Sequence, residues 1–449
     1  MSDYLEQLTT FICSCKFEDF PSEVVERARE VVADTLAVIG AGAQEEEVKK
    51  MTARMVPHGG REVATVIGTT RRTEPAKAAL INGTAGTFLE LDEGNQFGRG
   101  HPGIHVIPAA LAVSEEKSFS GRNFLTALVL GYEIGTRIGI ACKLRMSMHP
   151  HGTWGTVGAA VAIGKLMGYD KAKMREIINV SSSLGLATSR KTMLEGGTVR
   201  NVYAGVSNSM GILAHDLIES GFTGEADGLR TVFGSVVSDT FSTEAMVEDL
   251  GTRYEIARNY FKRHACCRYN HGTLDALGEI VAKRALKPEE VTRVDVETYS
   301  LAAQLCDQNP QNMLAGKFSI PFAVATAIVH GSTGVESFRP QVINDPSVKD
   351  LSRRVFVTED PKLTAMMPRF RPSRVKVRLR DGSALEAEAL MNKGDTEDPY
   401  SGEELQAKYF DLARVTWKRE VGEAIHADVM KLETLADLKG LTGKLRKLD

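Results

Sequence analysis

The chain has 449 residues, 43% of them hydrophobic and 25% charged, with a formal net charge of −3 at pH 7. This is ordinary globular composition, long enough for two or three domains, and it provides no global attraction to nucleic acid or to a membrane surface. The six cysteines do not make a disulfide scaffold: Cys13 and Cys15 are too close for an easy bridge and Cys266–Cys267 are vicinal. They read as reduced thiols of a cytosol-like compartment.

The opening "MSDYLEQLTTF" carries acids where a signal peptide carries bases, so no targeting segment is read and a cytoplasmic location is expected. In "FPSEVVERAREVVADTLAVIGAG" (20–42), Pro21 and Ser22 start a helix, apolar residues recur at helical spacing, and glycines end it. "REVATVIGT" (61–69) reads as the one strand of this region. "PAKAALINGTAGTFLELD" (75–92) has the small-residue composition of a closely packed helix. "FLTALVLGYEIGTRIGIAC" (124–142) is the most membrane-like run. Glu133 and Arg137 interrupt it, so it reads as a buried or amphipathic helix. "HGTWGTVGAAVAIGKLMG" (151–168) is another small-residue helix, and Asp170 caps the next. "AGVSNSMGILAHDLIESG" (204–221) is a third, ending at Gly221.

The pattern changes after about residue 265. "VTRVDVETYS" (291–300) alternates as a strand, and "SRVKVRLRDGSALEAEAL" (373–390) is two alternating runs about Asp381–Gly382, a hairpin. A helix near 313–330 lies between them. From about 400, "SGEELQAKYFDLARVTWKREV" returns to helix with Ser401 as cap. The expected architecture is mainly α: a helical domain of residues 1–265 and 400–449, with the tail packed back on the first region, and a smaller α+β domain over 266–399.

Four polar clusters fall at junctions between helical segments: Glu90, Asp92, Glu93, Arg99 and His101; His149 and His151; Arg190, Lys191, Glu195 and Arg200; and Lys262, Arg263, His264, Arg268 and His271. Together they provide cations that bind carboxylates and groups that move protons, as a site for a small polyanionic acid requires. His101–x3–His105 and His149–x–His151 resemble metal-ligand spacings. The first lacks the glutamate of a helical HExxH and contains Pro102–Gly103, so no metal site is read. "SSSLG" (181–185) is not a nucleophile elbow and reads as helix packing, and Cys266 and Cys267 read as buried and inert.

"TLAVIGAGA", "INGTAGTFLELDEG…HPG…VIPAALAV", "LVLGYEIGTRIG", "HPHGTWGTVGAAVAIGKLMG", "EGGTVRNVYAGVSNSMG…ESGFTG" and "DPYSGEELQAKYFDLA" resemble, in order and spacing, the MmgE/PrpD family. That family includes 2-methylcitrate dehydratase, cis-aconitate decarboxylase and iminodisuccinate epimerase. The resemblance implies a large all-α domain holding both chain ends, a smaller α+β lid domain, a homodimer, and no metal or organic cofactor. It also implies catalytic roles for Asp92, His101, His149 and Lys262, and substrate binding by Glu90, Asn95, Arg200, Arg263 and His271. Arg200 stands where the family carries a lysine, and Phe322 at a position that can hold tyrosine. Arginine clamps a carboxylate but does not relay a proton. The expected function is a lyase, first a dehydratase, that abstracts a proton beside a carboxylate of a small di- or tricarboxylate. An epimerase, a decarboxylase, or a non-catalytic carboxylate-binding relative are the alternatives.

Overall fold

The computed structural model describes residues 3–58 and 60–447. Five helices form the centre of the helical region: Pro75–Phe88, Pro102–Lys117, Gly121–Ala141, Gly155–Leu166 and Tyr203–Glu219. Their small residues set how closely they pack. A Cβ on Gly83 would lie 2.7 Å from the Gly205 Cα, so the first and last of these helices touch backbone to backbone. Gly121–Ala141 is long and apolar enough to cross a membrane, but 94% of its apolar window is buried against neighbouring helices. Its Arg137 is paired with Glu133 at 2.6 Å and also donates to the carbonyl of Glu248 at 2.7 Å. It is a core helix.

The helix Pro102–Lys117 contains Pro108, whose missing N–H leaves the Ile104 carbonyl without its helical donor. Asn208, from the helix Tyr203–Glu219, repairs the break. Its Nδ2 donates to Ile104 O at 2.8 Å, and its Oδ1 accepts from the Ala109 N–H at 2.9 Å. The side chain therefore fixes the helix that follows the polar loop 89–101.

The smaller region is a four-stranded sheet. With β1 Val291–Thr298, β2 Val355–Glu359, β3 Ser373–Leu379 and β4 Ala384–Ala389, the strand order is β4-β3-β1-β2. The pairs β4–β3 and β3–β1 are antiparallel, and β1–β2 is parallel. The hairpin turns at Gly382, whose φ of +86° suits glycine. The helices His271–Lys283 and Ile320–His330 cover one face. The other shows paired charges such as Arg374–Glu388 at 3.0 Å. The tail helix Gly402–Ala413 packs on Ser22–Gly42, with Lys408 Nζ 2.6 Å from Asp34 Oδ1.

Several expected boundaries move. The strand over 61–69 shrinks to Ala64–Thr65, paired with Arg72–Thr73. The helix expected to reach residue 92 stops at Phe88, because the following residues turn into the polar loop. The helix near 313–330 is two, Met313–Lys317 and Ile320–His330, since Ser319 caps the second by accepting from the Phe322 N–H at 3.0 Å. The C-terminal run is also two helices, Gly402–Ala413 and Arg419–Val429. All six cysteines are free thiols.

Replacing Asn208 with leucine removes both bonds that bridge the Pro108 break. The expected destabilisation is about 1–3 kcal/mol for each backbone group left buried without a partner, read as a lowered midpoint in chemical denaturation. An unchanged midpoint would show that the helix does not depend on this side chain.

Candidate active site

The helix Pro75–Phe88 ends in a sharp turn at Glu90, whose φ of +56° is left-handed. A non-glycine residue there costs about 1–2 kcal/mol, so the surroundings must hold it. They do so through charge. One Glu90 oxygen accepts from Arg200, and the other lies 3.2 Å from Lys262 Nζ. Lys262 also lies 3.7 Å from Asp92 Oδ1, and Asp92 Oδ2 lies 3.0 Å from His101 Nδ1. These four charged side chains and the His101 ring form one buried chain. Burial alone would push the two carboxyls up. For Glu90, Arg200 and Lys262 outweigh it; for Asp92, His101 and Lys262 do. Both are therefore held below the usual carboxylate range. Burial would likewise lower Lys262, but Glu90 and Asp92 raise it above its ordinary value.

His101 ends the loop and begins the helix Pro102–Lys117. Its Nδ1 is 2.7 Å from the Glu93 carbonyl as well as 3.0 Å from Asp92. The directed hydrogen bond goes to the carbonyl, and Asp92 acts through charge, since its oxygens have no hydrogen-bond partner among the described residues. With two acceptors at Nδ1, the proton of the neutral ring sits there and Nε2 is left for chemistry.

Three more imidazoles pack around it. The His151 ring centroid is 4.6 Å from His101, 5.0 Å from His149 and 5.1 Å from His105. His105 is fully committed: Nδ1 donates to the His101 carbonyl at 2.7 Å, and Nε2 accepts from the Gly152 N–H at 3.0 Å. Burial lowers it to about 4. His149 Nδ1 accepts from the His151 N–H at 3.1 Å, and His151 Nε2 accepts from Arg200 at 3.3 Å. Burial, with Arg200 next in weight, holds both rings well below the usual imidazole range, so they are neutral at pH 7.

A cleft opens on Glu90, His101, His149, His151 and Arg200 on one side and on Tyr260, Arg268, Tyr269 and Arg371 on the other, with Arg190 between. The cavity is small, about 50 Å³. The two-residue pairing of Met148–His149 with Thr188–Ser189 sets His149 beside Arg190. Gly94 and Tyr260 exchange backbone hydrogen bonds at 3.0 and 2.7 Å, which ties the loop to the segment carrying Lys262.

Of the nine residues expected at the site, the fold brings Glu90, Asp92, His101, His149, Arg200 and Lys262 together. Asp92 and Lys262 stand behind Glu90, outside the cleft lining. Three others lie elsewhere. Asn95 spends its amide inside the loop, donating to Glu255 O and accepting from the Phe97 and Gly98 N–H groups. Arg263 is exposed and faces a separate groove beside the tail helix. His271 is buried at the start of its helix with its ring 4.9 Å from His264. Phe322 packs on Phe338, and Phe318 faces the cleft instead. His151, Arg190 and Arg268 were named in the polar clusters but given no role at the site. Arg371, two residues before the alternating run 373–390, carried no signal in the sequence. Among the described residues, no group of three or more His, Cys, Asp and Glu side chains is arranged to hold a metal ion.

Residues 6–244 match the family profile described as the MmgE/PrpD N-terminal domain, and residues 264–432 the MmgE/PrpD C-terminal domain. The chain belongs to the MmgE/PrpD family. It is similar to a cis-aconitate decarboxylase of Aspergillus terreus, at 25% identity over 94% of this chain and 92% of that protein. It is also similar to the cis-aconitate decarboxylases of Mus musculus and Homo sapiens, each at 24% identity over 98% of this chain and 93% and 94% of theirs. In this MmgE/PrpD chain the helical N-terminal match carries Glu90, Asp92, His101, His149 and Arg200. The C-terminal match carries Arg268 and Arg371, and Lys262 falls between the two.

Glu93 lies beneath His101. Its Oε1 accepts from the Gly103 N–H at 2.7 Å, and its Oε2 is 2.9 Å from the Tyr132 hydroxyl and 3.3 Å from Asn259 Nδ2. Burial pushes this carboxyl up to about 8, so it is protonated at neutral pH. Asn259 Oδ1 has no partner among the described residues, and turning that amide over presents an acceptor to the Glu93 proton. The folded chain thus keeps a proton that the unfolded chain releases near its ordinary value of 4.5. This contribution to stability is full below about pH 4.5 and is lost as pH rises through about 8. Glu93→Gln is expected to flatten the fall of the thermal midpoint over that window relative to the parent chain. Equal slopes in thermal unfolding between about pH 5 and 8 would mean that Glu93 is ionised.

Proposed function

We propose that this protein is a lyase acting on a small di- or tricarboxylate, and that it breaks a carbon–carboxylate bond and protonates the carbon left behind. The observation that supports this most is His101. Its Nδ1 is held by the Glu93 carbonyl and Asp92, and Nε2 remains for the substrate in a cleft rich in cations. In the step envisaged, the bond to one carboxylate breaks and CO2 leaves. The electron pair stays on carbon and spreads into a neighbouring carboxylate as an enolate-like dianion. Fixed cations lower the cost of that charge where it develops. Protonated His101 then delivers a proton from Nε2 to carbon and recovers one from solvent, with Asp92 stabilising the imidazolium.

Decarboxylation is preferred to dehydration for two reasons. The full-length relatives named above are cis-aconitate decarboxylases. A dehydratase also needs a second acid to protonate the departing hydroxyl, and burial beside Arg200 keeps His149 and His151 neutral. Dehydration has one feature in its favour: His149, accepting at Nδ1, presents Nε2–H as a donor near His101. The family's activities all begin or end with charge beside a carboxylate, so the same cleft serves each.

The test is turnover of a panel of unsaturated and 2-hydroxy di- and tricarboxylates in deuterated water, followed by NMR. The expected result is CO2 release with one solvent deuterium in the product. His101→Ala should reduce kcat/KM by about 10²–10⁴-fold. An alkene formed from a hydroxy acid without CO2 would replace this reading with dehydration, and deuterium in unchanged acid with epimerisation. Full activity in His101→Ala would remove His101 from the mechanism.

A further inference from the structure

Arg190, Arg268 and Arg371 are 8%, 3% and 4% exposed, and all three line the cleft. They arrive from three distant segments and meet around two tyrosines. The guanidinium carbons of Arg190 and Arg371 lie 5.9 and 5.4 Å from the Tyr269 ring centroid, and that of Arg268 lies 4.9 Å from Tyr260. Only one of the three charges, that of Arg268, meets a carboxylate among the described residues. Arg190 donates through Nε to Gln304 Oε1 at 3.0 Å, and Arg371 through Nη2 to the Gln96 carbonyl at 3.0 Å. Neither has a carboxylate partner among the described residues. Arg268 meets Asp395 through Nη2 alone. Among the described residues, Nη2 of Arg190, Nε and Nη1 of Arg268, and Nε of Arg371 have no hydrogen-bond partner.

The contrast with the other wall is chemical. Arg200 and Lys262 are answered by Glu90 and Asp92, so two of the cations first expected at the site are neutralised within the protein, although Arg200 Nε too has no hydrogen-bond partner among the described residues. Buried guanidinium groups with unused donors are costly, and several in one cleft repel one another. An anion with planar pairs of oxygens relieves both costs, because a carboxylate fits the guanidinium fork.

We propose that Arg190, Arg268 and Arg371 form a second carboxylate-binding subsite in the cleft, so that the substrate must carry a carboxylate remote from the carbon that gains or loses a proton. The subsite rests on reading the cleft as a lyase site, and it adds the part that selects the acid. A monocarboxylate that satisfies only the His101 end leaves Arg190 and Arg371 without a counter-charge and the spare donors of Arg268 unused.

The test uses isothermal calorimetry with propane-1,2,3-tricarboxylate, glutarate, butyrate and inorganic phosphate on the full chain. The parent protein is expected to bind the tricarboxylate more tightly than glutarate, and glutarate more tightly than butyrate. Arg190→Gln and Arg371→Gln should each weaken tricarboxylate binding about 10- to 100-fold while leaving butyrate unchanged, and Arg371→Lys should restore part of the loss. Circular dichroism checks each fold. Should Arg371→Gln unfold by releasing Gln96, Arg190→Gln carries the test alone. Unaltered tricarboxylate binding in the glutamine variants, phosphate binding as tight as the tricarboxylate, or no tricarboxylate binding by the parent overturns the subsite. Arginine-dependent binding with no turnover of any acid leaves the subsite standing and removes the lyase reading. Turnover with KM unmoved in the glutamine variants removes the subsite and leaves the lyase.

Discussion

The structure turns on one buried chain of charge, Arg200–Glu90–Lys262–Asp92–His101. Isolated charges are not tolerated in a protein interior, so each member needs its neighbours, and they come from three segments of the fold. Glu90 and Asp92 sit just past one helix, and His101 sits at the start of the next. Arg200 precedes the helix Tyr203–Glu219, and Lys262 lies in the segment that leads to the smaller region. The left-handed backbone at Glu90 follows from the same constraint. A glutamate is tolerated there because its carboxylate answers two cations at once.

The cations at and behind the cleft differ in how they are paired. Arg200 and Lys262 are neutralised by Glu90 and Asp92, and Arg268 by Asp395. Arg190 and Arg371 have no carboxylate partner among the described residues and keep donors unused. The four imidazoles divide in the same way. His105 has both nitrogens bonded within the protein, and His149 and His151 are held neutral by burial. Only His101 combines a charged carboxylate at one nitrogen with a free nitrogen at the other.

Most of the fold was legible in the sequence because helical periodicity, caps and the Asp381–Gly382 turn are local signals. The helix from Ser22, the Asp170 and Ser401 caps and the β3–β4 hairpin stand where they were read. What failed was tertiary. Leu89 and Leu91 continue the apolar pattern past Phe88, so nothing in it marks the turn at Glu90, where buried ion pairs hold the backbone. The site was legible where polar residues interrupt core helices, as in the loop carrying Asp92 and His101. It was not legible where direction decides: Lys262 is buried and its neighbour Arg263 exposed, which a list of basic residues does not separate. The arginines from Arg268 onward gain meaning only once the smaller region is folded over the helical one.

Arg200 and Glu90 make sense as a pair. An arginine in place of a lysine keeps its charge regardless of burial, so it cannot share in proton transfer, but it can bond Glu90 and His151 together. Glutamate, one methylene longer than aspartate, reaches both Arg200 and Lys262 from a strained backbone. The pair leaves the positive charge beside the histidines fixed and neutralised by the protein's own carboxylate.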